Sequence, residues 1–163
     1  FTAPVSARHI NLFATGGGCG SDFKGPVLSF GMEFQMFGKL YTQVIFDYYP
    51  DPMEEGEIAD FSANSIGIYL SQKFAVSRRI DFFVRGGAHY STLKVSAQVM
   101  TPQQVIDEVT AEESDGGVQF GGGFEYLLSR KFGILFGADY NLLFSRDKHK
   151  WFKIYGGLSF AIQ

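Results

Sequence analysis

Apolar and polar residues alternate along most of this chain with a period of two. Such alternation is typical of β-strands, whereas a helix repeats its apolar residues every three or four positions. Eight segments carry this pattern and are rich in Phe, Tyr, Ile and Val. The sequence therefore predicts eight strands, at about 9–15, 27–37, 41–49, 65–74, 80–91, 118–127, 132–144 and 152–162.

The connections between these segments alternate in length. The three short ones lie at 38–40, 75–79 and 128–131. The four long ones lie at about 16–26, 50–64, 92–117 and 145–151. This alternation is typical of an up-and-down meander with an even number of strands. We therefore predict one all-β domain over residues 1–163, an eight-stranded antiparallel up-and-down β-barrel.

The third long connection contains a helix-start signal. Thr101 can cap a helix, Pro102 suits the first helical position, and Gln104 completes a capping box. Two interpretations stay open for this segment: a helix at about 101–113, or a loop without regular structure.

Residue numbers sort the side chains of each strand into two faces, because alternate residues point to opposite sides. The even positions of the predicted strands carry mainly large apolar residues. The charged residues of these strands all have odd numbers: Glu33, Asp47, Lys73, Asp81, Arg85, Glu125, Asp139 and Lys153. One face of every strand is therefore apolar, and the other is polar.

Glycine indicates which face lies inside. Of the 11 glycines within the predicted strands, eight have odd numbers and share the charged face. The interior of an eight-stranded barrel is just wide enough for side chains, so small residues beside a few long ones suit it. On the outside of a soluble barrel, glycine would weaken the strands without packing in return. The odd face is thus the predicted lumen, and the even face is predicted to contact lipid. A closed barrel can lie in lipid because all its backbone hydrogen bonds are formed between strands.

Charges inside a barrel are costly unless they are paired. We therefore predict that the eight odd-numbered charged residues form a network that fills the lumen; an ion path lined by the same charges is the alternative. If Phe74 lies opposite Ile80 across the second short turn, Lys73 lies opposite Asp81 and Tyr69 opposite Arg85.

Composition narrows the remaining classes of function. Fourteen basic and 17 acidic residues give a net charge of −3, without the basic patch typical of nucleic-acid binding. The single cysteine, Cys19, can form neither an internal disulfide nor a cysteine-rich zinc site. The glycine run at 16–20 lacks the spacing of phosphate-binding loops, so we expect no cofactor and no metal. Because the chain begins at Phe1 rather than Met, we expect that a leader was removed.

The strand number, the parity and the alternation of connections resemble those of small eight-stranded outer-membrane proteins of the OmpA/OmpX type. The resemblance covers nearly the whole chain, and segments 121–126 and 155–160 are typical of this family. It implies a bacterial outer-membrane location, contact with membrane lipid and lipopolysaccharide, long loops outside and short turns in the periplasm. The family usually ends its last strand in an aromatic residue that the assembly machinery reads, whereas this chain ends in Ile162 and Gln163.

His89 and Ser91 have the spacing of the His-x-Ser pair in outer-membrane lipid A deacylases of the PagL type. That resemblance would make His89 the base and Ser91 the nucleophile. The enzyme family, however, carries its pair near the chain end on the lipid side, together with a Glu. Here both residues lie in the fifth strand at odd positions, which face the predicted lumen. The sequence therefore favours a non-catalytic barrel, with a lipid A deacylase or a soluble lipocalin-like carrier of hydrophobic molecules as alternatives.

The two ends of the predicted barrel differ in charge. The loops at 50–64 and 92–117 are acidic, whereas the short turns carry no acid and five bases: Lys39, Arg78, Arg79, Arg130 and Lys131. Acidic loops are usually solvated, and they also suit weak binding of divalent ions or of an extracellular partner. We predict a role in membrane integrity, surface attachment or partner binding through these loops.

Overall fold

The computed structural model describes residues 10–21, 25–50, 59–100, 106–144 and 149–162. Each strand pairs antiparallel with its neighbours in the chain, and the first pairs with the last, so the sheet closes into a barrel. This confirms the predicted fold class. The strands are β1 (Ile10–Ser21), β2 (Gly25–Phe37), β3 (Leu40–Tyr49), β4 (Ala59–Ala75), β5 (Ile80–Met100), β6 (Ile106–Leu127), β7 (Phe132–Leu143) and β8 (Lys150–Ile162). Within the described part of the chain, no helix is long and apolar enough to cross a membrane.

Several strands run further at the long-loop end than the sequence predicts. β1 continues through the glycine run to Ser21, β4 begins at Ala59, and β5 and β6 fill most of the predicted loop 92–117. The loop predictions at 16–26, 50–64 and 92–117 are therefore too long. The apolar even face that marks the other segments is missing from these stretches of sequence.

The predicted helix at 101–113 is wrong over its described part. Residues 106–113 belong to β6 and pair with β5, from Met100 opposite Ile106 to Leu93 opposite Glu113. The capping residues Thr101, Pro102 and Gln104 lie outside the described residues. A capping box is a local signal, and here the ladder of cross-strand backbone hydrogen bonds outweighs it.

The register across the second short turn differs from the predicted one by two residues. Lys73 pairs with Phe83 rather than with Asp81, and Tyr69 pairs with Gly87 rather than with Arg85. The turn is shorter than the predicted one, because the β4–β5 pairing continues until the backbone N–H of Val76 donates to the carbonyl of Ile80. A shift of two residues leaves every side chain on its original face, so the assignment of faces is unaffected.

The buried side chains of the barrel have odd numbers, as predicted. Among the described residues, the large apolar side chains exposed on its exterior have even numbers, except Phe37. Phe37 follows an irregularity in the β2–β3 register after Gln35, which releases it from strict alternation. Such a wide apolar exterior matches a membrane barrel. It is the reverse of the apolar interior that a soluble carrier requires.

The lumen glycines make room for large side chains that cross the interior. A Cβ at Gly31 would overlap the ring of Phe13, and one at Gly67 or Gly137 would overlap the phenol of Tyr69 or Tyr155. The glycine-rich odd face is therefore the surface against which the lumen residues pack.

Candidate functional site

At the short-turn end, the lumen is filled by one cation between two carboxylates. Lys73 Nζ donates to Glu33 Oε1 over 2.6 Å and to Glu125 Oε2 over 2.8 Å. Glu33 Oε2 also accepts a hydrogen bond from Gln43 Nε2 at 2.7 Å, and Glu125 Oε1 accepts one from Ser159 Oγ at 2.6 Å. All five side chains are buried. One lysine neutralises only one of the two carboxylates. The hydrogen bonds from Gln43 and Ser159 stabilise the remaining negative charge, because a buried carboxylate needs such partners.

The middle of the lumen contains a second group of charges. Arg85 forms a two-pronged pair with Asp139, its Nε lying 3.1 Å from Oδ1 and its Nη2 bonding Oδ2. Gln119 Nε2 donates to the same Oδ2 over 2.7 Å. Lys153 Nζ lies 3.0 Å from both carboxylate oxygens of Asp47 and 3.4 Å from Asp139 Oδ2. This group therefore ties β3, β5, β6, β7 and β8 together across the interior.

Gln43 joins the two groups, because its Oε1 accepts a hydrogen bond from Arg85 Nη1 at 3.3 Å while its Nε2 bonds Glu33. The structure thus brings seven of the eight predicted charged residues into one network. Asp81 does not belong to it. Asp81 is the second residue of β5, at the mouth of the barrel, and pairs instead with Lys39 of the first short turn at 3.0 Å.

The long-loop end of the lumen is closed by an apolar plug that the sequence analysis missed. Trp151 Nε1 donates to Tyr49 Oη over 3.2 Å, and the two rings meet edge to face at 6.1 Å. The alternation predicts a polar odd face along the whole barrel and does not predict these apolar residues. Large apolar residues at odd positions near the strand ends were the available signal. The plug consists of Val27, Tyr49, Ala63, Leu93, Leu143 and Trp151.

Aromatic and aliphatic lumen side chains pack beside the charges and form a second buried cluster. The guanidinium of Arg85 lies over the ring of Tyr155, 5.0 Å from its centroid. The cavity beside the inner charges has a volume of about 20 Å³, room for roughly one water molecule. A larger pocket of about 190 Å³ lies at the short-turn mouth beside Lys73 and Glu125. The described lumen is therefore packed beyond this mouth. The cluster consists of Phe13, Ile45, Tyr69, Phe83 and Leu135.

His89 and Ser91 lie close together, as a base and a nucleophile would. His89 Nδ1 is 2.9 Å from Ser91 Oγ and 3.4 Å from Ser65 Oγ, and its ring meets Trp151 edge to face at 5.9 Å. Both members of the pair are buried in the lumen. Among the hydrogen bonds of the described residues, none joins a carboxylate to His89. The pair therefore lies beneath the apolar plug, away from the lipid-facing surface.

Three strands project beyond the barrel at the long-loop end. Pairing of β3 with β4 ends at Ala63, and pairing of β7 with β6 ends at Gly117. The β4–β5 ladder nevertheless continues to Ala59, and the β5–β6 ladder continues to Ile106. We name residues 59–62, 94–100 and 106–116 the outer arm. Along 106–115, no described strand pairs with the second edge of β6.

The outer arm is acidic. It carries one basic residue, Lys94, whose Nζ lies 3.5 Å from Glu112 Oε2 in an exposed ion pair. Among the side chains that the structure describes, no group of three or more could hold a metal ion. The acidic residues of the arm are Asp60, Asp107, Glu108, Glu112, Glu113 and Asp115.

No protein-family model and no curated protein sequence matches the chain. Solved structures do match its fold. A major outer membrane protein from Thermus thermophilus aligns with a TM-score of 0.74 and 11% identity, over 96% of this chain and 100% of that one. The N-terminal β-barrel domain of Pseudomonas aeruginosa OprF gives 0.69 and 10%, over 94% and 97%. Neisserial surface protein A gives 0.67 and 15%, over 94% and 96%.

The chain is therefore a closed eight-stranded antiparallel barrel with the fold of bacterial outer-membrane β-barrels. Structural matches at 10–15% sequence identity show a shared fold and do not show a specific function.

Proposed function

We propose that the protein is an integral, non-catalytic barrel of a bacterial outer membrane, and that its filled lumen serves membrane integrity. The observation that carries this proposal is the buried charge network inside an apolar exterior. A solute crossing the lumen would have to displace the Arg85–Asp139 pair and then pass the ring of Trp151. The outer-membrane proteins that share the fold support the location.

Membrane fractionation tests the location. We expect the protein, produced with a secretory leader in a Gram-negative host, to sediment with the outer membrane and to require detergent for extraction. The even-numbered apolar side chains need lipid or detergent to cover them. A protein that is soluble and monodisperse without detergent would contradict the proposal.

We also propose that the outer arm binds a basic, extended segment of a protein outside the cell. The edge of β6 that no described strand covers supports this function, because an exposed sheet edge can accept an additional strand through backbone hydrogen bonds. The excess of acids in the arm favours a cationic partner.

A pair of synthetic peptides tests this binding. A fluorescent peptide of alternating Lys and Val should bind the detergent-solubilised protein, as measured by anisotropy, and bind more weakly as salt screens the charges. The control peptide replaces Lys by Glu and should not bind. Equal binding of both peptides would contradict the proposed partner.

The burial of His89 and Ser91 favours a non-catalytic barrel over a lipid A deacylase. An acyl chain in the membrane cannot reach Ser91 without unpacking the lumen, where this side chain is 2% exposed. We expect mass spectra of lipid A from cells producing the protein to equal those of cells producing Ser91→Ala. Loss of one acyl chain with the native protein alone would establish the enzyme.

A further inference from the structure

Two of the three short turns repeat one design. In both, an apolar residue is followed by Ser, two bases and a second apolar residue: 76–80 reads Val-Ser-Arg-Arg-Ile, and 128–132 reads Leu-Ser-Arg-Lys-Phe. The serine hydroxyl accepts a hydrogen bond from the backbone N–H two residues later, at 3.2 Å in both turns. The repetition means that the two pairs of bases are held in equivalent ways.

All three short turns are also tied to the strand that follows their own hairpin. The carbonyl of the last base in each turn accepts a backbone hydrogen bond from that strand, at 2.7–2.9 Å. The positions of the bases around the rim are therefore set by the sheet itself. The bonds run from Lys73 to Lys39, from Leu127 to Arg79 and from Ala161 to Lys131.

An exposed apolar side chain precedes the bases of each turn. Val76 is 64% exposed, Leu128 54% and Phe37 69%. Val76 and Leu128 continue the ladders by one pair, opposite Ile80 and Phe132, so their side chains lie on the even, outward face. The apolar exterior of the barrel thus extends as far as the turns.

The bases stand immediately beyond this apolar edge. Arg78, Arg79, Arg130 and Lys131 are exposed, and none of them forms an ion pair with a described residue. Lys39 differs, because Asp81 already neutralises it. Cations at the edge of an apolar membrane surface lie at the depth of the lipid head groups, with their aliphatic stems along the apolar side chains.

We propose that Arg78, Arg79, Arg130 and Lys131, together with Val76 and Leu128, bind the anionic head groups of phospholipids in the leaflet at the short-turn end. A guanidinium group can donate two parallel hydrogen bonds to two oxygens of one phosphate. A lipid accounts for both halves of the turn, since its phosphate faces the bases and its acyl chain covers the apolar residue. A soluble polyanion or a wall polymer would leave Val76 and Leu128 uncovered. The inference rests on the proposed function, because it requires a barrel embedded in a bilayer.

Spin-labelled lipids test this inference. The protein is reconstituted in phosphatidylcholine vesicles containing a small share of labelled phosphatidylglycerol or, separately, labelled phosphatidylcholine. Electron paramagnetic resonance then gives the preference of the protein surface for the anionic lipid. Because each base near an anionic membrane surface strengthens the attraction roughly fivefold, we expect the four bases to give a preference of at least that order. It should fall by more than half in the double variant Arg78→Gln with Arg130→Gln.

The matched control removes two cations from the other end, Lys94→Gln with Lys150→Gln, and should keep the preference. Heat-modifiable migration on gels shows that each variant has formed a barrel. An inserted turn variant with unchanged preference would overturn the inference. Sedimentation with isolated peptidoglycan is measured in parallel, and a turn variant that loses this sedimentation while it keeps the lipid preference would also overturn it. If the native protein does not insert into vesicles at all, the proposed function fails instead.

Discussion

The barrel and the outer arm consist of the same strands and differ in what surrounds them. Within the barrel every strand has two partners, and a buried charge such as Lys73 touches two carboxylates. In the arm, β6 has one partner among the described strands, and the side chains of the pair Lys94–Glu112 are 48% and 55% exposed. Removing one partner of such a contact is therefore costly in the barrel, where it leaves a buried charge unpaired, and nearly without effect in the arm. The barrel is the closed part of the fold, and the arm offers the sheet edge at which we propose that a partner binds.

The largest difference between the two regions should appear when one lysine is removed from each. Lys73→Met leaves Glu33 and Glu125 buried beside each other without a cation, so the free energy of unfolding should fall by about 3–5 kcal/mol. Lys94→Met in the arm should change it by less than about 1 kcal/mol. Urea unfolding in lipid vesicles, followed by the fluorescence of Trp151, measures both. Equal losses would remove the distinction between barrel and arm.

Glycine substitutions should separate the regions by a smaller amount. Gly31→Ala places a methyl group against the ring of Phe13, and we expect a loss of about 1–3 kcal/mol from overpacking. Gly116 of the arm has no atom within 4 Å of an added Cβ, so Gly116→Ala should be neutral. The same unfolding assay checks both variants. A harmless Gly31→Ala would contradict a tightly packed lumen.

The apolar plug offers a subtler comparison between neighbouring residues on opposite faces. Tyr49→Phe removes the acceptor of the Trp151 hydrogen bond and should cost about 0.5–1.5 kcal/mol. Tyr48 points outward, so Tyr48→Phe serves as the control and should have almost no effect. If the two substitutions cost the same, the hydrogen bond inside the plug contributes nothing.

Shortening the arm should have the smallest effect on stability and the clearest effect on binding. Replacing residues 95–111 by Asn-Gly joins Lys94 to Glu112 through a two-residue hairpin. We expect the free energy of unfolding to change by less than about 1 kcal/mol, because loop length alters it only weakly. The basic peptide should no longer bind. A shortened protein that keeps its affinity would place the binding site elsewhere.

The sequence predicted the membrane part of the fold because lipid imposes one rule on every strand. Even positions are apolar wherever the exterior meets lipid, from Phe30 in β2 to Phe160 in β8. In the arm the rule reverses: β5 carries apolar residues at the odd positions Val95, Ala97 and Val99. Alternation therefore continues with opposite parity. Following it past residue 91 would have extended β5 and β6 and excluded the helix.

The candidate site was predicted in its composition but not in its contacts. Odd parity identifies Lys73, Glu33 and Glu125 as lumen residues, yet they lie on β4, β2 and β6. Which of them meet depends on register and on how far each side chain crosses the interior. The register error of two residues at the second short turn shows how little local sequence constrains this. Asp81 was misplaced in the network for the same reason.

The proposed function requires a lumen that is closed by its own side chains. Recording currents after the refolded protein is reconstituted into a planar lipid bilayer tests it most directly. With the charge network and the apolar plug in place, the membrane should keep the conductance of lipid alone at low and high salt. A steady, large single-channel conductance that appears only with the folded protein would contradict the account.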